Sequence, residues 1–268
     1  MKIMTFNTQH CLNYLERRID FDIMARAITD CGTDIVGLNE MLNAKPGSEY
    51  GAQVVELAAR TGLKHHYFAE AIKTGGIPYG NGFLSRRPIA SAETVMIPDP
   101  APRGYDGYYE TRCLLKARLE CGLTVLVTHF GLNPDEQQNA ANTVLQHLEA
   151  EKCILMGDFN VQPEDAVLQP IRARMKDTAA LFAAPLQSFP SDAPRPQDRL
   201  HLRIPRYRSA AGGYSTHRGL RPPAAYRRNR RSRYLTALRR ISCRQEQKTL
   251  RFPLRHWLRQ GNGAFVFC

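Results

Sequence analysis

The stretch of the chain that decides the fold is CILMGDFNVQP, residues 153–163. A continuous apolar run of this length predicts a buried strand, and α/β sheets bind their ligands at the carboxyl ends of such strands. Asp158 and Asn160 follow the run two residues apart, so along a strand their side chains point to the same side. A carboxylate beside an amide suits a hydrated cation or a phosphate oxygen. The same residue types also favour an ordinary turn, and this stretch alone leaves both interpretations open.

Three other strand-like stretches also end in polar residues. Residues 3–6, 35–38 and 125–128 are predominantly apolar, and they lead into Asn7, into Asn39 and Glu40, and into His129 respectively. One such ending is common. Four endings that together carry Asn, Glu, His and Asp-x-Asn predict a metal-assisted hydrolytic site.

In these residues the chain resembles the endonuclease/exonuclease/phosphatase superfamily. That superfamily has an N-terminal strand ending in Asn, a later Glu, a Thr-His, a Gly-Asp-x-Asn and a closing Ser-Asp-His. The first four motifs occur in family order within residues 1–194, and the closing Ser-Asp-His is missing. The resemblance implies an α/β fold, a four-layer α/β/β/α sandwich of two mixed sheets. Without the closing motif, we expect the last strands to be missing or malformed.

The resemblance also implies a role for each strand-end residue. Mg²⁺ or Mn²⁺ is the expected cofactor, with Glu40 as its main ligand and Asn7 on the metal or its waters. His129 is expected to hydrogen-bond the phosphate or to protonate the leaving oxygen. Asp158 is expected to orient or deprotonate the attacking water, and Asn160 to donate to the developing phosphorane oxygen. For each residue a structural role remains the alternative.

Two further residues are candidate substrate ligands. Arg112 is suited to a bidentate contact with a substrate phosphate, and Asn81 is expected to line the same cleft. For both, a surface or packing role is an equally good interpretation. Removal of the closing Asp-His pair would take away the principal proton-transfer group, because neither Asp198 nor His217 forms such a pair.

Composition places few further limits on the protein. The chain has 268 residues, 43% of them hydrophobic, which is enough for a sizeable core. It has no apolar run of membrane-spanning length and no signal-peptide pattern, so we expect a cytoplasmic protein without a membrane span. Its seven cysteines include no C-x-x-C pair and fit reduced thiols. A monomer is the default expectation.

The positive charge of the chain is concentrated in its last part. Residues 195–268 contain 19 Lys and Arg against 2 Asp and Glu, which leaves 18 basic and 23 acidic residues in 1–194. We therefore expect two regions: a catalytic domain over 1–194, incomplete at its C-terminus, and an Arg-rich disordered tail over 195–268. The acidic balance of the first region favours a small phosphoester substrate over nucleic acid.

A frameshift explains the tail better than a basic nucleic-acid-binding arm does. If one base entered the gene just after the Pro194 codon, the neighbouring frame can read DRKIDYIFVSRDIEVL from Arg195. It can also read VASDHRPHTAEI over Arg218–Asn229. The second string contains the missing Ser-Asp-His. Two alternatives remain open: a nucleic-acid-binding protein that uses the basic tail, and a non-catalytic remnant.

Several local elements can also be predicted. The 3.6-residue period predicts helices over Glu16–Cys31, Tyr50–Thr61 and Pro134–Glu149. The glycine-rich stretch Gly75–Gly82 predicts a loop. The aromatic, proline-rich stretch Pro98–Tyr109 predicts either the border of a substrate cleft or a packed connection.

Overall fold

The computed structural model describes residues 1–13 and 16–178, together with the backbone of residues 250–251 and 263–267. Its helices are α1 (Phe21–Asp30), α2 (Gln53–Thr61), α3 (Pro134–His147) and α4 (Gln169–Arg174). Its strands are β1 (Lys2–Asn7), β2 (Leu12–Asn13), β3 (Arg18–Ile19), β4 (Ile35–Leu42), β5 (His65–Thr74), β6 (Ile77–Ser85), β7 (Ile89–Met96), β8 (Cys113–Leu119), β9 (Thr124–His129), β10 (Cys153–Asp158), β11 (Met175–Asp177), β12 (Leu250–Arg251) and β13 (Gly263–Phe267).

The strands form two mixed sheets and a small hairpin. The first sheet has the order β12-β1-β4-β6-β5, the second has the order β11-β13-β10-β9-β8-β7, and β2 pairs with β3. Each large sheet contains a parallel pair, β1 with β4 and β9 with β10, followed by antiparallel strands. The two sheets therefore share this arrangement of a parallel pair next to antiparallel strands.

The register of the two parallel pairs brings the polar strand ends together. Asn7 lies opposite Asn39 in the first sheet, and Asp158 lies opposite His129 in the second. Because parallel strands end at the same edge of a sheet, each sheet presents its polar residues along one edge. This alignment positions the site.

Three hydrophobic clusters separate the four layers. One cluster lies between the sheets and includes Phe83 of the first and Val127 of the second. A second packs the first sheet on α1 and α2, with Leu38 against Leu57 among its members. The third packs the second sheet on α3 and α4. Helix, sheet, sheet and helix follow one another, and this confirms the predicted four-layer sandwich.

All three predicted helices are shorter in the structure, and most of the predicted glycine-rich loop is a strand. The helix predicted from Glu16 begins at Phe21, because the Asp20 side chain accepts a hydrogen bond from Ile23 N and caps it there. Residues 77–85, largely predicted as loop, form strand β6. Within residues 75–85, only Gly75 and Gly76 have positive φ, of 58° and 82°. Gly80 is needed within the strand because a Cβ there would collide with the Ala69 carbonyl of β5.

Two short segments of the Arg-rich region belong to the sheets. The two-residue β12 pairs antiparallel with β1, and β13 lies between β10 and β11, parallel to both. The expectation that the last strands are missing thus does not apply to the backbone of 263–267. The rest of 195–268, the domain boundary at Pro194, and the positions of Asp198 and His217 lie outside the described residues. No helix in the described part of the chain is long and apolar enough to span a membrane.

Candidate active site

Asn7 joins the two sheets at the polar edge. Its Nδ2 donates to Glu40 Oε1 at 2.9 Å and to Asp158 Oδ2 at 3.1 Å, so one amide holds a carboxylate from each sheet. Its Oδ1 accepts from the backbone N–H of Gln9 at 3.1 Å, which fixes the orientation of the amide. The structure therefore brings Asn7, Glu40 and Asp158 to one point.

Glu40 reaches this point through an irregularity in β4. Its φ of 58° is left-handed, and the pairing of β4 with β6 shifts register between Leu38 and Met41. A bulge of this kind turns a side chain away from the regular alternation of the strand. The Glu40 side chain is about one-quarter exposed, at 24%. It is thus accessible to a ligand from the cleft.

Asp158 is the last residue of β10, and Asn160 lies two residues later in the turn that follows. Gly157 precedes them with a φ of 144°, and a Cβ at this position would collide with the Thr128 carbonyl. Asp158 Oδ1 accepts from the backbone N–H of Asn160 at 3.1 Å. Asn160 Nδ2 donates to the carbonyl of Phe130 at 2.9 Å, and the second N–H of this amide has no hydrogen-bond partner among the described residues.

His129 is almost fully buried, at 4% exposure, beside Arg112. Arg112 Nη1 lies 3.0 Å from His129 Nδ1. Because a guanidinium only donates, we assign His129 Nδ1 as the acceptor and Nε2 as the protonated nitrogen. Burial, together with the positive charge of Arg112 and the nearby His10, lowers the pKa of His129 well below its usual value. His129 is therefore a neutral hydrogen-bond donor.

The guanidinium group of Arg112 is largely buried and pairs with protein groups. Its side chain is only 10% exposed, and Nη1 lies 2.5 Å from Glu110 Oε1 and 3.5 Å from the Tyr79 hydroxyl. Its Nε has no hydrogen-bond partner within the described residues. A small adjacent cavity, with about 10 Å³ of space for a water centre, can hold one water there. In this conformation Arg112 orients His129, and its bidentate contact with a substrate phosphate stays a prediction.

Asn81 lines the same cavity but is not a substrate ligand. It is 2% exposed, its Oδ1 accepts from Asn39 at 2.8 Å, and its Nδ2 donates to the Cys113 carbonyl at 2.8 Å. Both ends of its amide are thus occupied by protein groups. The prediction that Asn81 contacts the substrate is corrected to a structural role.

Asn39 is the central residue that sequence analysis missed. Its Nδ2 donates to Asn81 Oδ1 and to the Thr128 carbonyl, both at 2.8 Å, and its Oδ1 accepts from Asp158 N at 3.1 Å. It is completely buried. The available signal was its position one residue before Glu40, where the alternation of a strand turns it toward the second sheet.

Comparison with known proteins identifies the family of the chain. The family model for the endonuclease/exonuclease/phosphatase family matches residues 4–235. The chain belongs to this family. No curated protein matches it in sequence.

Solved structures of other members of the endonuclease/exonuclease/phosphatase family resemble the chain. A member from Beutenbergia cavernae is 26% identical with a TM-score of 0.53, and the match covers 63% of this chain and 50% of that one. The family protein from Leptotrichia buccalis is 19% identical with a TM-score of 0.48, covering 65% and 74%. One from Bacteroides vulgatus is 21% identical with a TM-score of 0.46, covering 64% and 70%. The matched part thus spans half the length of the first of these relatives.

The donor set fits the divalent cation that the family implies. The carboxylates of Glu40 and Asp158 both contact the Nδ2 of one amide and supply oxygen ligands, although among the described residues no group of three or more His, Cys, Asp or Glu side chains could hold a metal ion. A sparse shell of oxygen atoms suits Mg²⁺, which retains several of its waters.

Proposed function

We propose that the protein is a metal-dependent phosphoester hydrolase. The observation that carries this proposal is the contact of one amide, that of Asn7, with the carboxylates of Glu40 and Asp158. Membership of the endonuclease/exonuclease/phosphatase family supports it. Glu40 would hold Mg²⁺ or Mn²⁺, which when bound neutralises charge on the phosphate. Asn7 turns its Nδ2 to both carboxylates and its Oδ1 to Gln9 N, so in this orientation it positions the carboxylates and does not ligate the ion.

The remaining residues have distinct roles in an in-line hydrolysis. Asp158 takes a proton from the water whose oxygen attacks phosphorus, and the ester P–O bond opposite breaks. The free N–H of Asn160 and the Nε2–H of His129 donate to phosphate oxygens, where negative charge builds up. A neutral His129 is suited to this donation. It is poorly suited to protonating the leaving oxygen, because its pKa is strongly lowered by burial.

The substrate that fits best is a small phosphoester. Residues 1–194 contain more acidic than basic residues, and this disfavours the phosphate contacts that long nucleic acids require. The Arg112 guanidinium, a candidate for a bidentate contact with the substrate phosphate, is paired with Glu110.

We also infer that the reading frame changes after the Pro194 codon. This inference rests on the neighbouring frame, which can restore Ser-Asp-His over residues 218–229. Without this pair, loss of a general acid-base group reduces the rate by about 10²- to 10⁴-fold. An uninterrupted gene sequence across this codon, with relatives that share the tail, would refute the frameshift.

The hydrolysis of bis-p-nitrophenyl phosphate in Mg²⁺ tests the proposed function. We expect the frame-corrected chain to be active and the chain as written to be nearly inactive. Glu40→Gln should abolish the Mg²⁺-dependent rate of the corrected chain, whereas Glu93→Gln, at an exposed position of β7, should leave it unchanged. Equal rates for the Glu40 variant and its parent would refute the proposed site.

A further inference from the structure

His10 lies on a backbone segment held in an unfavourable conformation beside Glu40. Gln9, His10 and Cys11 have φ values of 47°, 59° and 59°, and three successive left-handed residues that are not glycine are strained. The segment is held in place because Gln53 Nε2 donates to the His10 carbonyl at 2.6 Å and His10 N donates to the Glu40 carbonyl at 3.0 Å. Backbone strain of this kind occurs preferentially at functional sites.

The imidazole of His10 is oriented so that one nitrogen points at the Glu40 carboxylate. His10 Nδ1 lies 3.1 Å from the Glu40 carbonyl oxygen, which only accepts, so Nδ1 carries a hydrogen. The ring also contacts Tyr79, with ring centroids 5.4 Å apart. The other nitrogen, Nε2, is left with its lone pair on the side of the carboxylate.

The distance between Nε2 and the carboxylate suits two ligands of one ion. His10 Nε2 lies 3.8 Å from Glu40 Oε2, which is too long for a direct hydrogen bond. Two ligand atoms that are each about 2.1 Å from one cation are separated by about 3 to 4 Å. The His10 side chain is 40% exposed, so the position between them is accessible from the cleft.

We propose that His10 Nε2 is an additional ligand of the cation held by Glu40, and that this nitrogen makes the site prefer Mn²⁺ over Mg²⁺. The inference rests on the proposed function, because it concerns the same cation. Imidazole favours transition metals, whereas an oxygen-only shell favours Mg²⁺. A backbone carbonyl bound to the other ring nitrogen is the usual support of a metal-ligating histidine.

Calorimetric titration of the full chain with MnCl₂ and MgCl₂, at about pH 8 where imidazole is ordinarily neutral, tests the proposal. His10→Asn is the principal variant, because asparagine tolerates the left-handed conformation. We expect it to weaken Mn²⁺ binding by about tenfold or more and Mg²⁺ binding by less than about threefold. His66→Ala is the matched control: His66 Nδ1 lies 3.2 Å from the Lys64 carbonyl, but His66 is exposed and has no carboxylate contact among its described interactions.

Two results separate this inference from the proposed function. If Glu40→Gln leaves the affinity for both ions unchanged, the proposed metal site itself is wrong. If Glu40→Gln abolishes binding but His10→Asn leaves the ratio of Mn²⁺ to Mg²⁺ affinity unchanged, only the role of His10 is overturned. Electron spin echo spectroscopy of the Mn²⁺-loaded chain should detect a directly bound nitrogen that disappears in His10→Asn. Absence of that signal from the unmodified chain would also overturn the role.

Discussion

At the scale of single residues, the amide of Asn39 connects the two sheets beneath the site. It donates to a group on each of two strands and accepts from the backbone of Asp158, so all its contacts are with other buried or partly buried groups. Its side chain determines where Asp158 lies relative to Glu40, although it contacts no substrate. Its role in the site is to fix the position of the carboxylate that carries the chemistry.

Replacement of Asn39 tests this role. Asn39→Ala would leave Asn81 Oδ1, the Thr128 carbonyl and Asp158 N without their partner, and we expect a loss of about 3 kcal/mol in the free energy of unfolding. Denaturant titration measures it. Asn142→Ala is the control, because Asn142 is exposed on α3 and contacts only Gln138 among the described residues. Equal losses for the two variants would contradict the role of Asn39.

His129 gives a prediction about pH. The folded protein holds the pKa of His129 well below that of the unfolded chain, mainly through burial. Below about pH 6.5 the unfolded chain therefore binds a proton that the folded one does not. The free energy of unfolding therefore decreases as the pH falls, by up to about 1.4 kcal/mol per pH unit. In His129→Gln, we expect this contribution to the pH dependence of the free energy of unfolding to be absent between about pH 6.5 and 5.5. Identical slopes for variant and parent would contradict the buried, neutral state of His129.

The residues of the site differ in how far their sequence context predicts them. Asn7, His129 and Asp158 end apolar strands, so the strand pattern predicts that they lie at one edge of their sheets. Glu40 lies within β4 and reaches Asn7 through an irregularity that the pattern does not predict. The orientation of Arg112 and Asn81 is not predicted either, because it depends on groups distant in sequence. Arg112 turns toward Glu110 and His129, and Asn81 toward Asn39. Periodicity carries no information about such pairings across two sheets.

At the scale of elements, the loop of residues 98–112 is fixed on the N-terminus of α3. The loop contributes Tyr108, whose carbonyl accepts from Asn133 Nδ2 at 2.8 Å, and Glu110, whose backbone N–H donates to Glu136 Oε1 at 3.1 Å. Sequence analysis left open a cleft border or a packed connection. The loop is hydrogen-bonded to α3, while residues 101–108 are exposed. It holds the exposed ring of Tyr108 next to Glu110, with which the Tyr108 hydroxyl pairs at 3.0 Å.

Glu136 is the residue on which this docking depends. Its carboxylate accepts from Asn133 N, Asn133 Nδ2 and Glu110 N, so Glu136→Gln places an N–H₂ group against a donor. We expect the loop to loosen and trypsin to cleave faster after Arg103. Glu149→Gln is the control, because Glu149 accepts from Thr124 in another part of the second sheet. Unchanged cleavage in Glu136→Gln would show that the loop is held by other contacts.

Strand β6 illustrates where element prediction fails. Its glycines predict a loop, but Gly80 and Gly82 lie within the strand because neighbouring groups leave no room for a Cβ. Close packing between elements and true turns both select glycine, so composition alone does not separate them. The C-terminal end of α2 is the opposite case: Gly62 has a φ of 71° and ends the helix as a left-handed residue.

At the scale of the whole molecule, the alternation of helices and apolar strands predicts an α/β fold, and the four-layer arrangement is what the family resemblance implied. The three clusters between the layers are formed by residues of 1–178. The predictions of a cytoplasmic location and of a monomer remain predictions. The contribution of the Arg-rich region to folding needs a separate experiment.

A comparison of the two reading frames tests that contribution. We expect the frame-corrected chain to give a higher soluble yield and a higher midpoint of thermal unfolding than the chain as written, because correct final strands cover the sheet edges. A chain ending at Pro194 serves as the reference for both. Equal yields and midpoints for the two full-length forms would contradict the frameshift.

The most direct test of the central claim is the effect of Asp158→Asn on Mg²⁺-dependent hydrolysis of bis-p-nitrophenyl phosphate by the frame-corrected chain. Asp165→Asn is the matched control, because Asp165 is an exposed acid that accepts from Gln162 N after the same strand. A single centre formed by Asn7, Glu40 and Asp158 predicts a loss in kcat of about 100-fold or more for Asp158→Asn, and little change for Asp165→Asn. Equal kcat values for the two variants, or a rate that EDTA leaves intact, would contradict it.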